Sequence, residues 1–203
     1  MFSKEQIKVI EETTEFVKDF MKNYDESHNF EHVIRVKNMA TTIAISENLN
    51  TDEIFEVQLG ALTHDINDHK YTNDIYAQEL ILKDFFKNKL DNDIISNVII
   101  IACNVSLSKQ TTLEHNNIHI NCKKLKCVRD ADRIDSLGSI GITRYFIYGI
   151  KKTNSTIKEI ITNIETRTNI LIKHIKTNLG KEIAEKKIKI IRDFIEDYYF
   201  TNK

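Results

Sequence analysis

Apolar residues recur along this chain at steps of three and four, the spacing of one helix face. In residues 3–23, Ile10, Thr14, Val17, Met21 and Tyr24 keep that step, with charges between them. Ser27 is placed to cap a second helix over 28–48, striped by Val33, Val36, Ala40 and Ile43. Thr51 is placed to cap a third, with Asp52 and Glu53 in the first turn, where the helix dipole favours acidic groups. Phe55, Leu59 and Leu62 stripe it, and it ends near Asp65. Thr72 and Asp91 read as caps for helices over 73–89 and 92–104, the latter striped by Ile94, Val98 and Ile101. Residues 105–121 show no period and read as a polar loop. Leu125, Val128 and Ile134 mark a helix through DADRID, and another follows over 142–148. Ser155 reads as the cap of a long helix to Asn178, Gly180 as a break, and 181–199 as the last helix. No stretch alternates with period two, and no internal repeat or low-complexity linker is present. The pattern predicts one all-α domain over 1–203, with a core over 20–150 and a helical pair over 151–203 packed on it.

Composition sharpens this picture. The chain has no Pro and only 5 Gly among 203 residues, so long uninterrupted helices suit it and turn-rich sheets do not. With 29 basic and 30 acidic residues it lacks the excess positive charge of a bulk nucleic-acid or anionic-membrane binder. The charge is unevenly placed: residues 1–80 carry 7 Lys/Arg against 16 Asp/Glu, and residues 151–203 carry 12 against 7. An acidic first part and a basic last part suit a site that takes a cation and a phosphate, and they equally suit ordinary solvated helix faces. Three Cys, an odd count, and a polar N-terminus point to free thiols and a soluble cytoplasmic protein. The most apolar run, 94–103, is too short to span a bilayer.

Three separated stretches carry candidate chemistry: DESHNFEHVIRV (25–36), LGALTHDINDHKY (59–71) and CVRDADRIDSLGSIGITRYF (127–146). Singly each is weak, because a lone His, an HD dipeptide or an acidic run occurs widely without function. In this order, with this wording, they resemble the HD-superfamily phosphohydrolases, in particular the small stand-alone YedJ/YpgQ-like subfamily. The resemblance covers residues 1–150 and continues more loosely into LGKEIAEKKIKIIRDFIEDYY. It implies a single HD-domain helical bundle holding one divalent cation, Mn²⁺ or Mg²⁺, with Co²⁺, Ni²⁺ or Fe²⁺ as alternatives. It assigns the ligand role to His32, His64, Asp65 and Asp132, and it implies a small phosphorylated substrate, a nucleotide. Two imidazole nitrogens and two carboxylates leave two positions of an octahedral ion for water and a phosphate oxygen. Since neighbouring helical residues point about 100° apart, His64 and Asp65 must sit at a helix end to share an ion.

Other polar residues near these motifs take roles from spacing. Asp68, three residues after Asp65, reads as a general base that orients the attacking water, or else as a loop cap. His28, one turn before His32, reads as an acid or phosphate contact, or else as a solvent-facing His. Lys70, Arg133 and Arg35 are candidates to hold phosphate oxygens, and Arg35 and Arg133 can instead pair with carboxylates inside the fold. NVSLSK (104–109) is similar to a substrate-side stretch of the family. After Tyr148-Gly149 the chain departs from the family pattern, running directly into KKTNSTIKEI where many members have a Gly- and Pro-containing loop. A rival H-x3-H-x2-C-x4-C pattern, His115, His119, Cys122 and Cys127, superficially resembles a zinc site.

The leading expectation is a metal-dependent phosphohydrolase of nucleotides, acting as a triphosphate pyrophosphohydrolase or phosphatase. A nucleoside monophosphate phosphomonoesterase is the alternative within enzymes. A catalytically weak HD scaffold that binds a nucleotide or a protein is the alternative outside them. The expected partners are the phosphorylated small molecule and, in a homodimer, a second copy. A monomer is equally compatible, and neither nucleic acid nor membrane is expected.

Overall fold

A computed structural model of the protein describes residues 1–22, 29–66, 76–115 and 122–201. These residues form ten α-helices and, among them, no strand: α1 (Lys4–Phe20), α2 (Phe30–Ser46), α3 (Thr51–Thr63), α4 (Ala77–Phe86), α5 (Asn92–Ala102), α6 (Leu107–His115), α7 (Lys123–Asp135), α8 (Gly138–Lys152), α9 (Ile157–His174) and α10 (Asn178–Thr201). None of these helices is long and apolar enough to cross a membrane.

Several helix starts are fixed by reciprocal side-chain caps. Ser3 and Gln6 box the start of α1, Asn50 and Glu53 that of α3, and Thr156 and Glu159 that of α9. The caps of α3 and α9 therefore lie one residue off the expected Thr51 and Ser155. Asn50 already offers a side-chain oxygen to the amide of Glu53 at 3.0 Å, and Thr51 is drawn inside the helix. α2 is capped by Asn29, whose side chain accepts from the His32 amide at 3.1 Å. The expected caps Ser27 and Thr72 lie outside the described residues. Asp91 does stand at the N-cap of α5.

Residues 107–115, expected as loop, are helical. The inward positions of α6 are Leu107 and, one turn on, Gln110, which is buried. With a glutamine in the inward place, the apolar period is invisible. Gly180 does not break a helix either. It sits in the first turn of α10, where a Cβ would lie 2.5 Å from Oγ1 of Thr177 and 3.0 Å from Oδ2 of Asp130. The close approach of Asp130 requires it.

Two apolar clusters hold the helices together, and α2 and α3 contribute to both. Val33 of α2 and Phe55, Leu59 and Leu62 of α3 pack with α1, α4 and α5. Val36, Ala40 and Ile43 of α2 and Val57 and Ala61 of α3 pack with α7, α9 and α10. Gly60 lets α3 meet α5 closely, since a Cβ there would lie 2.4 Å from Cγ2 of Ile101. α7 is unlike its neighbours. It carries Arg129, Asp130, Arg133 and Asp135, yet all four are buried. Burying charge is costly unless each group is paired, so this helix marks where polar work is done.

Candidate metal centre

Three helices bring their polar residues to one point. His32 occupies the first turn of α2 and is 1% exposed. Asp132 comes from the C-terminal half of α7. His64 and Asp65 follow α3 directly, and both are buried. α3 ends there because Gln78, buried in α4, turns its side-chain amide to the carbonyls of Thr63 at 3.1 Å and His64 at 2.8 Å. The Thr63 carbonyl also accepts from the Ile66 amide at 3.3 Å, and the Gln78 amide adds a side-chain donor to both carbonyls at the helix end. His64 keeps right-handed helical angles as the C-cap, and the bond from the Ile66 amide to the Thr63 carbonyl tightens the last turn around the HD dipeptide.

The resulting distances are short. Nε2 of His32 lies 3.4 Å from Oδ2 of Asp65 and 3.4 Å from Oδ1 of Asp132. Nε2 of His64 lies 3.5 Å from Oδ1 of Asp65 and 3.8 Å from Oδ1 of Asp132. One ligand atom from each of His32, His64 and Asp132 falls within 4.8 Å of the others, a spacing able to hold a metal ion. Bonds of ~2.1 Å to a common cation require ligand atoms roughly 3–4 Å apart.

Hydrogen bonds on the far sides of the rings decide what the near sides offer. Nδ1 of His64 lies 2.8 Å from the Ala61 carbonyl, which can only accept, so that nitrogen carries the proton. Nε2 is then a bare lone pair, buried and without a hydrogen-bond partner among the described residues. Nδ1 of His32 lies 2.7 Å from Oδ2 of Asp135, which fixes its proton on that side in the same way. Its Nε2 then faces two carboxylates. This is the carboxylate–imidazole arrangement that prepares a histidine to ligate a cation. The bare Nε2 of His64 and the Nε2 of His32 turned to two carboxylates fit positive charge at this point, a proton on His32 or a divalent ion.

Charge supports the same reading. Burial works against a charged ring at His32, but Asp132, Asp135 and Asp65 outweigh it and push the pKa up to about 10. Partial burial of Asp132 is likewise overcome by the two imidazoles, which hold its carboxyl down to about 2. Asp135 is buried, yet His32, Arg35 and Arg144 hold it far below the usual carboxylate range. The centre attracts positive charge, and a proton on His32 and a metal ion are rivals for one position.

A cavity of about 450 Å³ opens on this centre. Arg133, Arg144 and Arg167 stand in its wall, with the hydroxyls of Ser106, Ser108 and Thr111 near the start of α6. The stretch NVSLSK thus reaches the cavity through Val105, Ser106, Leu107 and Ser108. Arg133 is 2% exposed, and its guanidinium donates to the His174 carbonyl at 2.8 Å and to the Gln110 side chain. It ties α7 to α6 and to the end of α9. Arg35 does not line this cavity. Its Nε donates to Oδ1 of Asp135 at 2.7 Å, on the reverse side from the metal centre. Asp68, His28 and Lys70 lie outside the described residues.

Sequence reading passed over three contributors. Arg144 donates to Oδ2 of Asp135 at 2.8 Å and lines the cavity, and it lies within the GITRYF end of the third motif. Arg167 comes from α9, which carries no motif. Gln78 gives no signal in sequence, because its role depends on the fold returning to the end of α3. The short connection after α8 is also visible: Thr153–Thr156 join α8 to α9, with Asn154 in the left-handed region at φ 49°. The rival Cys/His set does not assemble. Cys127 is buried in the apolar core, where burial pushes its thiol up to about 12. His115 is exposed, and His119 lies outside the described residues.

No family model matches the chain. Over 150 residues the chain is 28% identical to the uncharacterized protein YpgQ of Bacillus subtilis, covering 70% of the chain and 67% of YpgQ. An uncharacterized protein of Acanthamoeba polyphaga mimivirus is 29% identical over 146 residues. That match takes in 63% of the chain and spans 56% of the viral protein's length. Among solved structures, an HD-superfamily hydrolase from Bacillus thuringiensis is 25% identical with a TM-score of 0.73, covering 96% of each chain. YpgQ in complex with ADP aligns with a TM-score of 0.74 at 19% identity, over 96% of this chain and 95% of that one. These likenesses give the chain the fold of the HD-superfamily hydrolases and a sequence similarity to YpgQ.

Proposed function

We propose that this protein is a metal-dependent phosphohydrolase of nucleotides, with His32, His64, Asp65 and Asp132 as the ligands of one divalent cation. The observation that carries the proposal is the pair of imidazoles, each with its proton fixed on the far nitrogen and its near nitrogen turned to shared carboxylates. When bound, the cation supplies an acidified water and neutralises charge on a phosphate oxygen.

The chain's own groups supply the rest. Asp135 orients His32, and the Ala61 carbonyl orients His64. Arg144, beside His32 and Asp135, and Arg167 give the cavity wall positive charge suited to phosphate oxygens not on the ion. Ser106, Ser108 and Thr111 add neutral hydroxyls. Arg133 belongs to the wall and keeps it in shape. Asp68 is assigned to orient or deprotonate the water, and His28 and Lys70 to the substrate, from their positions beside the ligands in sequence. The hydrolase name of the Bacillus thuringiensis neighbour and the ADP bound to YpgQ support the substrate class.

The test is a panel of nucleoside mono-, di- and triphosphates with Mn²⁺, Mg²⁺, Co²⁺ or Ni²⁺, scored for released phosphate and pyrophosphate beside Asp65→Ala. Pyrophosphate from triphosphates identifies the pyrophosphohydrolase, and phosphate from monophosphates alone identifies the phosphomonoesterase. Turnover surviving in Asp65→Ala would refute the site. Tight metal binding with no turnover across the panel would leave a nucleotide-binding scaffold.

A further inference from the structure

Asp135 connects the candidate metal centre to a second cavity. On one side it holds His32. On the other it borders a separate cavity of about 290 Å³, built by α2, α7, α8 and α10. That second cavity carries two cations, Arg35 and Lys187, over a floor that includes Met39, Ile134 and Ile140, with the Asn38 amide at its edge.

Both cations are positioned, and both have donors to spare. The stem of Lys187 lies along Gly138, where a Cβ would be 3.2 Å from its Cγ. Gly138 has φ 70°, a conformation that glycine adopts freely, and it leaves that space open. The Lys187 amine reaches the Leu137 carbonyl at 3.3 Å, which uses one of its three protons. Burial lowers the pKa of this amine. Arg35 commits Nε and Nη2 to Asp135, at 2.7 and 3.1 Å, while its Nη1 has the exposed Glu31 at 4.0 Å. Among the residues that line the cavity, Arg35 and Lys187 meet one carboxylate, Asp135, while Glu31 stands exposed outside the lining, so positive charge is in excess there.

We propose that this cavity binds a small organic carboxylate and that its occupancy tightens metal binding at the centre beyond Asp135. A single negative charge matches the excess, whereas a phosphate monoester brings nearly two. The volume holds roughly ten atoms at the density of liquid water, enough for a carboxylate and a short apolar body. The direction of coupling follows from charge. An anion on Lys187 and Nη1 of Arg35 draws the guanidinium off Asp135 and adds negative potential behind His32. Both effects make Nε2 of His32 a better ligand for a cation. Linkage is reciprocal, so the metal also tightens the carboxylate. The coupling rests on the proposed metal site, and the carboxylate binding does not.

The experiment is calorimetric titration of butyrate into EDTA-treated protein, then of Mn²⁺ with and without saturating butyrate. Chloride and 1-butanol serve as controls for charge alone and apolar body alone. Saturable binding of one butyrate per chain is expected, weakened at least tenfold in Lys187→Met. Ile140→Trp, which fills the cavity from an independent, exposed wall without adding charge, is expected to weaken it similarly, so the result does not hang on one variant's folding. The uncharged Ile140→Trp should keep its Mn²⁺ affinity within twofold in the absence of butyrate. In the wild type, butyrate should tighten Mn²⁺ about fivefold or more. No saturable butyrate binding, or equal binding in both variants, overturns the site. Butyrate binding that leaves Mn²⁺ affinity unchanged overturns the coupling. Absence of Mn²⁺ binding with butyrate binding intact points instead to failure of the metal assignment.

Discussion

Oδ2 of Asp135 lies 2.7 Å from Nδ1 of His32, with Arg35 and Arg144 closing on the same carboxylate from other sides. One buried side chain thus sets the tautomer of a proposed ligand and is itself neutralised by two arginines. Asp135→Asn can flip that tautomer by donating from its amide, and it removes the charge that compensates both guanidiniums. Metal affinity should fall about 10–100-fold, the usual effect of losing such a supporting group. Calorimetry with Mn²⁺ measures this directly, and unchanged affinity would remove Asp135 from the account.

Metal binding should release protons. With the pKa of His32 raised to about 10 in the cation-free protein, an ion arriving at neutral pH displaces a proton from Nε2. Affinity should therefore rise as pH rises, by up to about tenfold per unit between pH 6.5 and 9. The sign for stability is the opposite. A raised folded pKa stabilises the cation-free protein fully below about pH 6.5, and that contribution is lost as pH approaches 10. Titrations in two buffers of different ionisation enthalpy should show about one proton released per ion near pH 7.5. A proton count of zero would contradict the protonation state described for His32.

Gln78 is expected to matter more than a residue without a motif should. Gln78→Leu keeps the volume and removes the side-chain donor from the carbonyls of Thr63, which retains the Ile66 amide, and His64, at about 1–3 kcal/mol in total. For a chain of this size that lowers Tm by roughly 2–12 °C. The variant should also bind Mn²⁺ more weakly, because the turn that presents His64 and Asp65 loses its brace. Thermal melts with and without Mn²⁺ separate the two effects. A variant that melts like the wild type would show that the brace is dispensable.

Thiol chemistry discriminates the metal centre from its rival. Cys127 is buried with its thiol pushed up to about 12, so it should resist a disulfide reagent at pH 8 in the native protein. Of the three Cys, only Cys103 and Cys122 should react before denaturant is added. Rapid labelling of all three, blocked by zinc, would revive the Cys/His site.

The all-helical fold was legible because most helices bury an apolar stripe, as Val33, Val36, Ala40 and Ile43 show in α2. α6 was not, because Gln110 takes an inward place that patterning expects to be apolar. Its partner is Arg133, and that pairing exists only in three dimensions. His32, His64, Asp65 and Asp132 were readable through their motifs, and the fold brings them together. Arg35 and Arg133 were harder to assign, since sequence does not tell an arginine that meets substrate from one that meets a buried partner. Arg35 clamps Asp135 and Arg133 braces the wall, while Arg144 and Arg167 enter the cavity from helices whose placement local sequence cannot fix.

The central claim is that four side chains from three helix ends hold one ion. Crystals grown with Mn²⁺, measured at a wavelength where manganese scatters anomalously, test it most directly. The account predicts one strong anomalous peak within about 2.0–2.3 Å of Nε2 of His32, Nε2 of His64 and carboxylate oxygens of Asp65 and Asp132. A peak elsewhere, or none at this position at saturating Mn²⁺, would contradict it.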